Sequence, residues 1–89
     1  MSEMVTGLAV TVRFFAAARA AVGADERVLT VPPGTSVADL IRQLADDSPA
    51  LAAVLPRCSY LYDGVAVRDT ATELENGRTV DVLPPFAGG

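Results

Sequence analysis

The chain has 89 residues, 51% hydrophobic and 20% charged, a composition typical of one small globular domain. Its net charge is −4 and it has no Lys/Arg cluster to neutralise phosphates, so nucleic acid and anionic membranes are not expected partners. It contains no histidine, and all seven basic residues are arginine, which excludes the commonest general base, Schiff-base catalysis and most zinc sites. We therefore expect no metal site and no catalysis by the chain alone.

The expected location is the cytoplasm. No apolar run approaches the roughly 20 residues of a membrane span, and no secretory signal opens the chain. The single Cys58 cannot form an internal disulfide, and a structural role is favoured over a redox or sulfur-relay thiol. We expect one domain over residues 1–89, with a loose leader at 1–7.

The sequence patterns in the first half of the chain predict two strands and a main helix. Residues 8–15 alternate with period two, with Leu8, Val10, Val12 and Phe14 on one face, which predicts a strand. An alanine-rich stretch, 16–22, could form a short helical turn, and 27–31 predicts a second strand that pairs with the first. Ser36 and Asp39 have capping-box spacing, so a helix is predicted over 37–47. Ser48-Pro49 then begins a second, short helix.

The second half predicts three strands. Segments 59–62 and 65–67 flank Asp63-Gly64, a type I′ hairpin signal, and 79–83 is the last strand, with Val80 and Val82 inward. We expect this last strand to pair with the first at the centre of the sheet. The order predicts an α+β roll of the β-grasp, ubiquitin-like type: a mixed sheet of about five strands, one main helix and a short second helix.

The last seven residues, Leu83-Pro84-Pro85-Phe86-Ala87-Gly88-Gly89, form a distinctive ending. A terminal Gly-Gly arises by chance in roughly one chain in 200. The prolines hold their own φ and favour an extended path, and the glycines lack the Cβ that would block a narrow tunnel. We predict that the Gly89 carboxylate is the reactive group and that 84–89 is an insertable tail. The alternative is a frayed terminus or a cloning remnant.

Four apolar side chains are predicted to form a docking patch on the free face of the sheet: Phe15, Tyr60, Tyr62 and Leu83. Ordinary sheet packing is the alternative for the same residues. Phe86 is predicted to anchor the tail on a partner rather than to join the core.

These features resemble a known family, the MoaD/ThiS-type ubiquitin-like sulfur carriers, most closely the small subunits of molybdopterin synthase. The resemblance spans 10–89 and rests on the opening strand at 12–16, the helix start at 33–40 and the Leu-Pro-Pro-Phe-Ala-Gly-Gly ending. Two departures stand out. Asp63-Gly64 replaces an Asn-Gly-like turn, and Phe86 stands where a smaller aliphatic residue is usual.

The resemblance implies a carrier cycle. A ubiquitin-activating-type adenylyltransferase would use ATP to adenylate the Gly89 carboxylate, and a sulfur donor would convert it to a thiocarboxylate. The carrier would then dock on the large subunit of molybdopterin synthase and give its sulfur to a cyclic pterin phosphate, as one subunit of a hetero-oligomer that binds no cofactor itself. The alternatives are a carrier for thiamine or cysteine synthesis and a binding module whose terminus is never activated.

Overall fold

The computed structural model describes residues 7–85, so the leader before Gly7 and the tail after Pro85 lie outside the described residues. The strands are β1 Leu8–Phe14, β2 Glu26–Val31, β3 Ser59–Tyr62, β4 Val65–Ala66 and β5 Thr79–Leu83. The helices are α1 Ala16–Val22, α2 Val37–Asp47 and α3 Pro49–Val54, and a 3-10 turn follows at Leu55–Arg57.

One mixed sheet in the order β2-β1-β5-β3-β4 organises the described chain. β1 and β5 pair in parallel, and every other neighbouring pair is antiparallel. The predicted central pairing of the first and last strands is therefore confirmed, and with it the β-grasp architecture. Because the two strands are parallel, both run toward the same end of the sheet.

The core lies between the helices and one face of this sheet. The predicted alternation in β1 and β5 is confirmed: Val10, Val12 and Phe14 of β1 and Val80 and Val82 of β5 are buried, and Leu8, at the start of β1, is half-buried against the core. The buried set comprises Val10, Val12, Phe14, Ala18, Val31, Val37, Leu40, Leu44, Leu51, Leu55, Leu74, Val80 and Val82. The opposite, helix-free face is called the open face below.

The predicted capping box of α2 is confirmed. The Ser36 Oγ accepts a hydrogen bond from the Asp39 N–H, and the Ser36 N–H donates to the Asp39 carboxylate, each at 3.1 Å. The backbone N–H groups of Val37 and Ala38 donate to the carbonyls of Thr72 and Thr70, both at 2.9 Å. The irregular segment before β5 therefore satisfies helix donors that would otherwise lack partners.

The stretch predicted as a short helical turn is a complete seven-residue helix, α1, so three α-helices are present where two were expected. Its C-cap is Gly23, whose φ of 80° is left-handed. At its beginning Ala16 also has a positive φ, 51°. The Cβ atom makes that conformation costly, by roughly 1–2 kcal/mol for an L-residue.

The hairpin between β3 and β4 explains one departure from the family pattern. Asp63 and Gly64 have φ of 49° and 82°, which fits the predicted type I′ turn. The Asp63 carboxylate accepts hydrogen bonds from Arg78 at 2.6 Å and from the Thr79 N–H at 2.9 Å. These bonds, led by the one from Arg78, lower the pKa of Asp63. The negatively charged Asp63 side chain thus links this turn to the beginning of β5. An asparagine at this position would lack that charge.

Replacing Ala16 with glycine should leave the melting temperature unchanged or raise it. Removing the Cβ relieves the left-handed strain, while the greater freedom of glycine in the unfolded chain offsets about 0.4–1 kcal/mol of that gain. The matched control is Ala20→Gly at an exposed position within the same helix, which should cost about 0.5–1 kcal/mol. Equal losses in thermal denaturation of the two variants would contradict the strain at Ala16.

Candidate functional site: the origin of the C-terminal tail

β5 is paired on both sides up to Val82, and its last residue, Leu83, is paired with β3 alone. On one side Val82 lies opposite Phe14 of β1, and on the other Leu83 lies opposite Ser59 of β3. The Phe15 N–H extends the parallel ladder by donating to the Val82 carbonyl at 3.3 Å. The segment that leads into the tail is therefore held by the sheet from two directions.

Two prolines end this pairing. Proline has no N–H to donate, so the ladder cannot continue beyond Leu83 on the donor side. Pro84 is buried and Pro85 is exposed, so the chain passes from the interior to the surface between them. The other predicted tail residues, Phe86, Ala87, Gly88 and Gly89, lie outside the described residues, and their roles stay predictions.

A bidentate ion pair crosses from β1 to β5 on the open face. The Arg13 Nε and Nη2 donate to the two carboxylate oxygens of Asp81 at 2.6 and 2.9 Å. The Asp81 side chain is 6% exposed and that of Arg13 49% exposed. The hydrogen bond and the charge of Asp81 raise the pKa of Arg13, whose guanidinium lies 5.7 Å from the centre of the Phe15 ring.

Sequence reasoning missed this pair. The sequence patterns predict no ion pair for Arg13 within the chain and no role for Asp81. The two residues are 68 positions apart, and only the register between β1 and β5 brings them together. The available signal was an aspartate flanked by valines within a strand that was already expected to lie at the sheet centre.

The predicted docking patch is wrong in the placement of its two tyrosines. Tyr60 and Tyr62 lie opposite Val82 and Val80, which are buried, so both tyrosines point to the helix-covered face and pack against the core. The Tyr60 hydroxyl donates to the Leu55 carbonyl at 3.0 Å. Tyr62 accepts a hydrogen bond at its hydroxyl from the Glu75 N–H at 2.8 Å. A shift of one residue in register reverses the face of a whole strand, and the sequence did not fix that register.

Phe15 and Leu83 do lie on the open face, both half-buried. Leu61, opposite Asp81 in β3, belongs to the same face and was not predicted. We call Phe15, Leu61 and Leu83, together with Arg13, the open-face patch. Its use as a docking surface stays a prediction.

The environments of Tyr60 and Cys58 identify both as structural groups. Burial, and secondarily the nearby Cys58, raises the pKa of Tyr60 to about 12. Burial also raises the pKa of the Cys58 thiol, which donates to the Val54 carbonyl at 3.4 Å. A raised pKa disfavours the thiolate, the reactive form of cysteine.

Residues 7–85, the part of the chain that the structure describes, hold no group of three or more Asp, Glu, Cys or His side chains suited to a metal ion. None of the helices in that part of the chain has the length and apolar character needed to cross a membrane.

A central C-terminal strand beside the first strand, under a single main helix, defines the ubiquitin-like β-grasp class. The ThiS family matches residues 12–89, and the chain belongs to that family. The resemblance to the MoaD/ThiS-type sulfur carriers is thereby confirmed.

Individual relatives cover nearly the whole chain. A molybdopterin synthase sulfur carrier subunit from Chlamydomonas reinhardtii is 31% identical, over 90% of this chain and 98% of its own length. Small archaeal modifier protein 3 from Haloferax volcanii is 34% identical, over 86% of this chain and 95% of its own. The solution structure of the Haloferax volcanii HVO 2177 protein superposes with a TM-score of 0.85 at 29% identity, covering 100% of this chain and 93% of that one.

Tyr60 should ionise later than an ordinary tyrosine. Its pKa is raised from 10.0 to about 12, so the stability that depends on its neutral form is present below pH 10 and is lost as the pH rises toward 12. In a phenolate absorbance titration of the folded protein, Tyr60→Phe should remove the late phase and Tyr62→Phe should retain it. Loss of the late phase from Tyr62→Phe instead would contradict this assignment.

Arg13→Leu should lower the melting temperature more than Arg27→Leu. The second variant is the control, because it makes the same change at an exposed position of the neighbouring strand β2. The first variant leaves the buried Asp81 carboxylate without its cationic partner, whereas Arg27 forms no ion pair within residues 7–85. Adding Asp81→Asn to Arg13→Leu should restore part of the loss, because the unpaired buried charge is removed. Equal losses for the two arginine variants would show that the pair contributes no stability.

Proposed function

We propose that this chain is a sulfur carrier of molybdenum cofactor synthesis, acting as the small subunit of a molybdopterin synthase. In this proposal Gly89 carries the sulfur as a thiocarboxylate. Pro84, Pro85, Phe86, Ala87 and Gly88 deliver it into the partner's active site. The chain binds no cofactor itself, and ATP is used by the activating enzyme.

The observation that carries the proposal is the way the described chain leads into the tail. β5 is paired on both sides, and Pro84 at its end is buried. A strand held in this way presents the following residues in a defined direction from one end of the sheet. The Chlamydomonas relative, which matches over almost its full length, supports the choice of pathway.

The chemistry follows from the properties of a terminal carboxyl group. Its pKa of about 3.3–3.7 makes it an anion at neutral pH, and an anionic carboxylate is a poor electrophile. We propose that a carboxylate oxygen attacks the α-phosphorus of ATP, with pyrophosphate leaving, to form an acyl-adenylate. A sulfide-level donor then attacks the acyl carbon, AMP leaves, and the thiocarboxylate results.

The loaded carrier would then dock on the large synthase subunit. In this proposal the thiocarboxylate sulfur attacks a carbon of the cyclic pterin phosphate and displaces an oxygen substituent of that carbon. Water then cleaves the acyl–sulfur bond, which restores the carboxylate and leaves the sulfur on the pterin. We propose the open-face patch as the docking surface, with Phe86 as an anchor of the tail. The net charge of −4 suits partner surfaces of positive charge.

Intact mass measurement tests the carrier step. The full chain is incubated with a ubiquitin-activating-type adenylyltransferase, ATP and a sulfide source. We expect the mass gain of one oxygen-to-sulfur exchange, and no gain for the chain lacking Gly89. A chain that no such activator changes would instead be the binding module.

The pathway needs a separate assay. The thiocarboxylated chain is mixed with a large synthase subunit and the cyclic pterin phosphate, and molybdopterin is measured. Success in a thiazole-forming or cysteine-forming system, with failure in this assay, would assign the carrier to thiamine or cysteine synthesis.

The Haloferax relative supports a second candidate, a protein modifier. In that role an amine of a target protein, rather than sulfide, attacks the activated Gly89 carbonyl and AMP leaves, giving an amide. Incubation of the activated chain with a lysine-bearing acceptor protein in place of sulfide distinguishes the two roles. A covalent adduct resistant to thiols favours the modifier.

A further inference from the structure

We propose that the outer edge of β2 is a homodimer interface, through which two copies of this chain join their sheets antiparallel about Val28. The occupant of this edge is therefore a second copy of the chain. The proposal concerns a surface separate from the C-terminal tail, and it does not depend on what Gly89 carries. It rests on the strand Glu26–Val31 and its pairing with β1.

The two edges of the sheet differ in how well they are protected against pairing with another strand. The sheet order places β4 at one edge and β2 at the other. β4 has two residues, and very short edge strands are a common protection. β2 has six residues without proline, lysine or a bulge, it follows β1 in an unbroken register, and Val28 in its middle is 63% exposed. β2 is thus a regular edge of the kind that pairs with other chains.

Alternate residues of β2 direct their backbone groups away from β1. The Phe14 N–H donates to the Asp25 carbonyl at 2.8 Å, which fixes the phase of the antiparallel ladder. Hydrogen-bonded and non-hydrogen-bonded pairs alternate along such a ladder. The residues whose N–H and carbonyl groups therefore face outward are Glu26, Val28 and Thr30. Within the described chain no third strand pairs with them.

A two-fold axis at Val28 uses all of these outward groups. It places Val28 opposite Val28 of the second copy and Glu26 opposite Thr30 in both directions, so every outward N–H and carbonyl group gains a partner. No like charges lie directly opposite each other. Of the two neighbouring registers, one sets Arg27 opposite Arg27, and the other sets Glu26 opposite Pro32, which has no N–H. The edge is therefore best matched to itself in the register centred on Val28.

The side chains that this register brings together are also compatible. Val28 lies opposite Thr11 of β1 and so stands on the open face, where Val28 of the second copy would lie beside it. Directly opposite residues have Cβ atoms about 4.5–5.5 Å apart, close enough for two valines to shield each other from water. Glu26 lies beside Arg13 of its own copy and opposite the neutral Thr30 of the other. Pairing would thus cover one of the two large apolar side chains that residues 7–85 expose.

The interface is small and leaves the rest of the sheet accessible. β1 separates β2 from β5, and neighbouring strands lie about 4.8 Å apart, so the paired edge is roughly 10 Å from β5. One strand pair buries less than the roughly 1,200–2,000 Å² of a standard interface, so the dimer should be weak, with a Kd on the order of 0.1 mM. The end of β5 stays accessible in the monomer and in the dimer.

Sedimentation equilibrium of the full chain, from about 10 µM to about 1 mM, tests the association. We expect a monomer–dimer equilibrium that Val28→Glu weakens at least about tenfold, because two carboxylates would then lie opposite each other. The matched control is Val65→Glu, the same change in charge at the exposed valine of β4, which should leave the Kd within about twofold of wild type. A wild-type chain that stays monomeric throughout overturns the proposal and leaves the edge to a strand of another protein. Equal effects of the two substitutions also overturn it.

Cysteine cross-linking tests the register in a Cys58→Ser background. Val28→Cys should form a disulfide-linked dimer in a glutathione redox buffer, since residues of a hydrogen-bonded pair have Cα atoms about 5.5 Å apart. Glu26→Cys and Thr30→Cys should not cross-link alone, but an equal mixture of the two should, because each lies opposite the other. Cross-linking of Val65→Cys as fast as Val28→Cys would reveal random collision and overturn the proposal. Cross-linking of Glu26→Cys alone, or none in the mixture, would overturn the register.

Discussion

The parallel pairing of β1 with β5 is the contact on which the rest of the structure depends. It joins the two strands that are farthest apart in sequence and places them at the sheet centre, where both contribute to the core. The same register brings Arg13 opposite Asp81 on the other face. Because the strands are parallel, Phe15 and Leu83 meet at one end of the sheet, beside the buried Pro84 that begins the tail.

Local patterns predicted the elements well, because each pattern reports on one segment and its immediate geometry. The period-two alternation of β1, the Ser36–Asp39 capping box and the Asp63-Gly64 turn depend only on residues a few positions apart. α1 was underestimated, since seven alanine-rich residues are marginal as an isolated helix and tertiary packing of Ala18 supplies the missing stability.

The errors arose where two distant segments had to be aligned. β3 is four residues long, Ser-Tyr-Leu-Tyr, and either of its faces could be read as the apolar one. The register between β3 and β5 determines which face is buried. It places Tyr60 and Tyr62 opposite buried valines and Leu61 on the open face. The Arg13–Asp81 pair was missed for a related reason. An aspartate in a strand is ordinarily solvated, and only its neighbours on two other strands reveal that this one is buried.

The fold determines where the tail begins but not which of the two proposed reactions its terminus undergoes. Nothing on the described surface distinguishes a sulfide donor from an amine, since the Arg13–Asp81 pair and the buried Pro84 fix only the end of β5. Two relatives of similar identity accordingly have names for different roles, a sulfur carrier subunit and a modifier protein. The fold of this chain therefore does not decide between the two roles, and what its described residues contribute is a defined starting point for the residues that follow Pro84.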